Sequence, residues 1–290
     1  MPLGHVLLAL FVAAVYGVAF VAIKAGVGEI PPLLLTGYRF LFAAFPLIFF
    51  VKRPDVGLRW LAAFGLVQGV IMFGLIFTAI GWGMPAGLAS LVVQVQVFFT
   101  ILLSAHLFRE RWAPAQIAGA LVALGGIAVI GLARTEAAPA IPFLLVIASA
   151  AAWAAANVIA KAARPQNMLS FVVWSSAFAP LPLFVLSAVF EGTRFALSPA
   201  MPSAVAVAAI LFLAWPTTVF AFSAWVFLLR RYNAATVTPF ALLIPVFGIT
   251  STVLAFGERF DRSTAFGSML VFAGLAINVF GGKMFHKPGM

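Results

Sequence analysis

The 290-residue chain contains no cysteine, three histidines and seven acidic residues. Without cysteine it has no disulfide framework, no thiol nucleophile and no thiolate metal site. Charged residues make up only 8% of it, against about 25% in soluble domains, whose surfaces must face water. No Walker-type Gly-rich phosphate loop occurs, so ATP is not expected as a fuel. No HExxH and no convergent acid pair is present to support hydrolysis. The chain is therefore not expected to be an enzyme or to hold a cofactor or metal.

What is present is overwhelmingly apolar: 64% hydrophobic residues, 31 phenylalanines and a mean hydropathy of +1.17. Apolar windows of about 18–25 residues recur along the whole length, enough for a helix to cross roughly 30 Å of hydrocarbon. Breaks at charges, Pro and Gly predict ten helices, near 4–24, 33–51, 60–80, 86–107, 115–132, 141–161, 170–190, 204–228, 235–256 and 264–282. The expected class is an all-α polytopic membrane protein with short loops. The net charge of +10 does not point to nucleic acid, because Lys and Arg are dispersed singly or in pairs between apolar runs. A cleavable signal peptide is not expected either, since residues 3–23 are too long for one and lead into another span.

The loops are asymmetric. Eleven Lys and Arg residues, including Lys52, Arg53, Arg230 and Arg231, fall on one side of the ten spans. Five fall on the other: Lys24, Arg134, Arg194, Arg259 and Arg262. The positive-inside rule then places both termini in the cytoplasm.

Comparing the two halves of the chain exposes a repeat. "FRERWAPAQIAGALVALGG" and "FGERFDRSTAFGSMLVFAG" both carry Glu-Arg followed by two glycines at the same spacing. Glu110, Gly119 and Gly126 match Glu258, Gly267 and Gly274 at an offset of 148 throughout. The glycines of each pair are seven residues apart, so they share one helix face and permit close helix approach in lipid. "VYGVAFVAIKAG" in span 1 likewise matches "AWAAANVIAKAA" in span 6, aligning Tyr16 with Trp153 and Lys24 with Lys161. The expected organisation is two five-helix repeats, residues 1–135 and 136–290. Five is odd, so the second copy is expected upside down relative to the first, a design of transporters that alternate about a midplane site.

These paired features, "GVAFVAIKAG", "GYRFLFAA", "FRER…G…GG" and "FGER…G…G", resemble the duplicated motifs of the drug/metabolite transporter superfamily, in particular its EamA-type members. The resemblance covers nearly the whole chain. Within the family the chain is most similar to the YddG-type amino-acid exporters. That likeness implies an inner-membrane exporter of neutral amino acids, such as Thr, Met or the aromatic ones, and of related metabolites. Export of drugs, purines or another metabolite is the alternative, and a lipid scramblase or membrane enzyme a distant one. The family usually carries a proline in both span 4 and span 9; here Pro245 is present but its partner position is Val97.

The polar residues inside the spans are the candidate cavity. Gln94 and Gln96 point about 200° apart on a helix, whereas Ser90 and Gln94 share a face. That face is expected to line a central cavity, with Gln96 packing on a neighbouring helix; Thr238 occupies the equivalent position in the other half. The plainer alternative is that the amides only bond across helices. Gln68 in span 3 and the pair Trp153/Asn157 on one face of span 6 are further candidates, with Trp215 beside a kink at Pro216. Arg39 is the one charge well inside a span, and an ionisable residue there is a functional candidate. It could bind a substrate carboxylate, or it could partner helix carbonyls or Glu29, or snorkel. "YRF" belongs to family members with different substrates, which favours the structural role. Glu110 and Glu258 read as structural, and Lys24 and Lys161 as snorkelling span ends, with a gating role as the alternative. All seven acids lie at loops or span ends, so transport is expected to be uncoupled diffusion or exchange, of a neutral or zwitterionic solute. Nothing in the sequence specifies an oligomer, and a monomer is a sufficient unit.

Overall fold

The computed structural model describes residues 1–109, 114–132, 139–192, 202–232 and 237–285. Among the described residues every regular element is helical. A chain this apolar can satisfy its backbone in lipid only within helices, because no strand here closes a barrel.

Among the described residues eight stretches are long and apolar enough to cross a membrane. They are α1 (Leu3–Val27), α2 (Pro32–Phe49), α3 (Leu58–Gly81), α4 (Ala86–Phe108), α5 (Pro114–Leu132), α6 (Ala140–Ala163), α7 (Met168–Phe190) and α8 (Ala204–Trp225). A shorter apolar helix, α9 (Phe240–Phe256), and a 24-residue helix, α10 (Arg262–Phe285), follow. Prolines 2, 31, 85 and 139 stand immediately before α1, α2, α4 and α6, where a missing N–H and a preset φ suit a helix start. Gly257 ends α9 at φ +65°, the left-handed stop that glycine adopts without strain.

The outward faces are greasy. Leu3, Leu7 and Phe11 on α1, and Leu181, Val185 and Val189 on α7, are all more than half exposed and recur every fourth residue. Such stripes are stable only against lipid, so this is a multi-pass membrane protein.

Several helices depart from α geometry inside the bilayer. In α3 residues Gly65–Met72 form a π-helix, and in α8 residues Leu213–Ala221 do the same, starting 148 residues later. In α4 residues Val93–Val95 tighten into a 3-10 turn, and another at Thr238–Leu242 leads into α9. Pro216 removes a ladder donor within the α8 segment. In α3, which has no proline, the hydroxyl of Ser149 on α6 donates to the Met72 carbonyl at 2.8 Å.

The bundle has a far face, where α1 ends and α2 begins, and a near face holding the start of α1. Helices α5 and α10 pack antiparallel along their length. A methyl at Gly119 would sit 2.6 Å from the Gly274 carbonyl, and one at Gly126 would sit 2.5 Å from that of Gly267. The reciprocal approaches, Gly267 to the Gly126 carbonyl and Gly274 to that of Gly119, are 2.7 and 2.5 Å. Toward the far face α1, α9 and the first half of α4 pack together, whereas the second half of α4 turns to α6.

Candidate functional site

The break in α4 sets the orientation of its polar residues. Ser90 lies above it, fully buried, donating to the Gly87 carbonyl at 2.6 Å and pressed against Gly248 of α9. Ser90 is therefore part of a helix crossing between α4 and α9. Gln94 lies in the 3-10 turn itself, 5% exposed, and no hydrogen bond to its amide is found among the described residues. Gln68, in the π-helix of α3 and 8% exposed, is in the same condition.

Below the break the amides bond to one another. Asn157 Nδ2 donates to Gln96 Oε1 at 3.0 Å and to Thr100 Oγ1 at 3.1 Å, and the Thr100 hydroxyl donates to Gln96 at 3.2 Å. This triad ties α4 to α6. Gln96 thus packs on a neighbouring helix, and Asn157 belongs with it. Trp153, one turn along α6 from Asn157, is partly buried against the main core.

Trp215 lies elsewhere. Its indole N–H donates to the Phe42 carbonyl at 3.1 Å, and it is 44% exposed. With Pro216, Phe11, Val15 and Leu47 it lines an apolar cavity of about 660 Å³ between α1, α2 and α8. None of the amides lines that cavity. Pro245 is buried at the start of α9. Thr238 begins the 3-10 turn before it, but its side chain lies outside the described residues, as does Glu110.

Arg39, 3% exposed, neither snorkels nor meets Glu29. Its Nε donates to Thr218 Oγ1 of α8 at 3.1 Å, and its guanidinium lies over the Phe73 ring, 3.8 Å from the centroid. Phe40 and Phe77 stand at 5.5 and 5.7 Å, and the phenol of Tyr16 is its electrostatic neighbour. Thr218, Phe73 and Tyr16 were not foreseen as site residues. Only Tyr16 carried a signal, its alignment with Trp153.

At the far face Lys24 does not simply snorkel. Its ammonium donates to Glu258 Oε1 at 2.6 Å, and the backbone N–H groups of Ala86 and Gly87 donate to the same carboxylate at 2.9 and 3.0 Å. One carboxylate thereby joins the ends of α1 and α9 to the N-terminus of α4, where the helix dipole favours an anion. Burial pushes the Glu258 carboxyl up, but the bonds from Lys24, Gly87 and Ala86 outweigh it and hold the group below its ordinary value. Its ionised form is thus retained at neutral pH and lost only as pH falls below the usual glutamate range.

Residues 3–132 match the EamA-like transporter family, and residues 140–280 match it again. The chain belongs to that family. Relatives named "Probable amino-acid metabolite efflux pump" in Escherichia coli and Salmonella typhimurium are 39% and 41% identical to this EamA-like chain, each alignment covering 94% of both proteins. A solved crystal structure, 21% identical, superposes with a TM-score of 0.62 over 99% of each chain. At that identity the match shows the fold. As a member of a transporter family, the protein takes a small-molecule substrate.

Proposed function

We propose that this protein is a bacterial inner-membrane exporter of neutral amino acids and related metabolites, working by alternating access between two inverted five-helix repeats, residues 1–135 and 136–290. The observation that carries this reading is the identity of about 40% over 94% of the length to two bacterial proteins named as amino-acid metabolite efflux pumps. The inverted repeat draws support from the antiparallel α5–α10 pair, whose glycine contacts exchange with one another when the halves are swapped. The paired π-helices and 3-10 turns add discontinuous helices on both sides of the midplane, as transporter sites use. The loop charges favour cytoplasmic termini, which makes the near face cytoplasmic and the far face periplasmic.

The substrate site in this reading lies at Gln94 and Gln68, largely buried residues whose amides have no protein partner among the described residues and are not fully enclosed. Leaving such a group dry would cost about 1–3 kcal/mol, so water or a polar solute belongs beside it. No acid among the described residues sits deep in a span, which favours uncoupled diffusion or exchange over proton coupling.

The test is uptake of labelled Thr, Met, Phe and Trp into liposomes holding the purified protein, with and without a pH gradient. Saturable uptake indifferent to the gradient is expected. Gln94→Ala is expected to raise KM about 3- to 10-fold, the worth of one lost hydrogen bond. Gradient-driven accumulation would overturn the uncoupled mechanism, and no uptake of any of the four would overturn the substrate class.

A further inference from the structure

The guanidinium of Arg39 is buried in a way that its protein neighbours do not complete. Arg39 lies seven residues into α2, roughly 10 Å from the helix end at 1.5 Å per residue, and thus inside the hydrocarbon layer. A cation at that depth requires compensation. No carboxylate among the described residues pairs with it, since their one ion pair is Lys24–Glu258. Of the structural roles expected of it, pairing with Glu29 and snorkelling are not adopted, and no bond from it to a helix carbonyl is found among the described residues. The Phe73 ring covers one face of the guanidinium plane, and cation–π contact offsets only part of the lost hydration.

The geometry leaves one edge of the fork unused. Nε is taken by Thr218. No hydrogen bond from the two terminal nitrogens is found among the described residues. Those nitrogens are not sealed either: among the described residues only the hydroxyls of Ser175 and Thr264 are both fully enclosed and unpartnered. A guanidinium fixed by stacking on one face and by a bond at Nε presents its remaining N–H groups in a set plane. That is the arrangement that grips a carboxylate with two parallel bonds.

We propose that Arg39 is the carboxylate-binding residue of the transport site and makes a free carboxylate the required feature of the substrate. This deepens the amino-acid reading and rests on it. A zwitterion would place its carboxylate on Arg39 and leave its side chain to the surrounding Phe rings. Methionine and phenylalanine fit such a site; their amides, esters and decarboxylated amines, which bring no anion to the buried cation, do not.

Competition against labelled methionine uptake in proteoliposomes tests this. With wild-type protein, methionine, phenylalanine and N-acetylmethionine are expected to compete, whereas methioninamide and phenethylamine bind about 10- to 100-fold more weakly, the worth of charge-assisted bonds. In Arg39→Gln that acid-over-amide ratio should collapse toward one, and Arg39→Lys should retain part of it. A variant that merely loosens the bundle would lower uptake of every solute and leave the ratio unchanged, so the ratio separates the roles. Equal competition by methioninamide in the wild type, or an unchanged ratio in Arg39→Gln, would overturn the proposal while leaving the amino-acid reading standing. Should neither variant fold, the wild-type competition decides alone. Wild-type protein that takes up no amino acid overturns both.

Discussion

Gly126→Leu is expected to lower the thermal aggregation midpoint of the detergent-purified protein by roughly 10 °C or to abolish its accumulation. The reason is that α5 and α10 meet backbone to backbone. A Cβ at residue 126 would lie 2.5 Å from the Gly267 carbonyl oxygen, 2.8 Å from the Val271 nitrogen and 2.9 Å from Leu270 Cβ. Two of those three atoms are backbone, which cannot rotate aside, so the helices must separate. Overpacking of this kind costs about 1–3 kcal/mol in soluble cores and more when backbone blocks relief. In lipid the loss is sharper, because helix association rests on close packing rather than on exclusion from water.

The neighbouring glycine supplies the control. Nothing lies within 4 Å of a Cβ at Gly125, and leucine is the better helix former. Gly125→Leu should leave the midpoint unchanged or raise it slightly. Size-exclusion profiles after a heating series would compare the two. Equal behaviour would show that α5 and α10 do not meet as described.

The glycine spacing made this contact legible in the sequence, since two glycines seven residues apart in each half must share a helix face. Eight of the ten expected spans were legible for a similar reason, as their length and hydropathy follow from the thickness of the bilayer. The irregular turns were not. Pro216 hints at the π-helix in α8, but α3 has no proline, and the bond to its π-helix comes from a hydroxyl on another helix, Ser149 of α6 donating to the Met72 carbonyl. The site was less legible still. Periodicity set Gln94 apart from Gln96 and put Ser90 with Gln94, but an ideal 3.6-residue period carries no sign of the 3-10 turn that begins at Val93. Arg39 stood out as a charge, but Thr218 is 179 residues away, and no local pattern pairs them. Lys24 and Glu258 are 234 residues apart; each was marked by the repeat, and neither was marked as the other's partner.

That pair carries the second large effect. If access alternates, the far face opens only when α1 and α9 release the start of α4, which breaks the bonds to Glu258. Hydrogen bonds to a charged group contribute about 1.5–3 kcal/mol, and the Lys24 side chain, 33% exposed, adds a screened and smaller share. Glu258→Ala should therefore raise the far-open population about 10-fold or more. The cysteine-free background allows a direct reading. Ser90→Cys is a near-isosteric reporter beneath the latch, and it should react slowly with a membrane-impermeant maleimide applied from the far side. Adding Glu258→Ala should speed that labelling about 10-fold. Glu258→Gln should give an intermediate rate, because its single amide oxygen can accept from Ala86 or from Gly87 but not from both, and not as an anion. The pH dependence has a fixed sign. The latch depends on an ionised Glu258 whose pKa is held low, so the labelling rate of the single-cysteine protein, divided by that of a free thiol at the same pH to remove the loss of thiolate, should be flat from neutral pH into the mildly acidic range. It should rise only as pH falls below the ordinary glutamate range. Unchanged labelling in Glu258→Ala, with an unaltered size-exclusion profile, would mean that this carboxylate braces the loop and does not hold the gate.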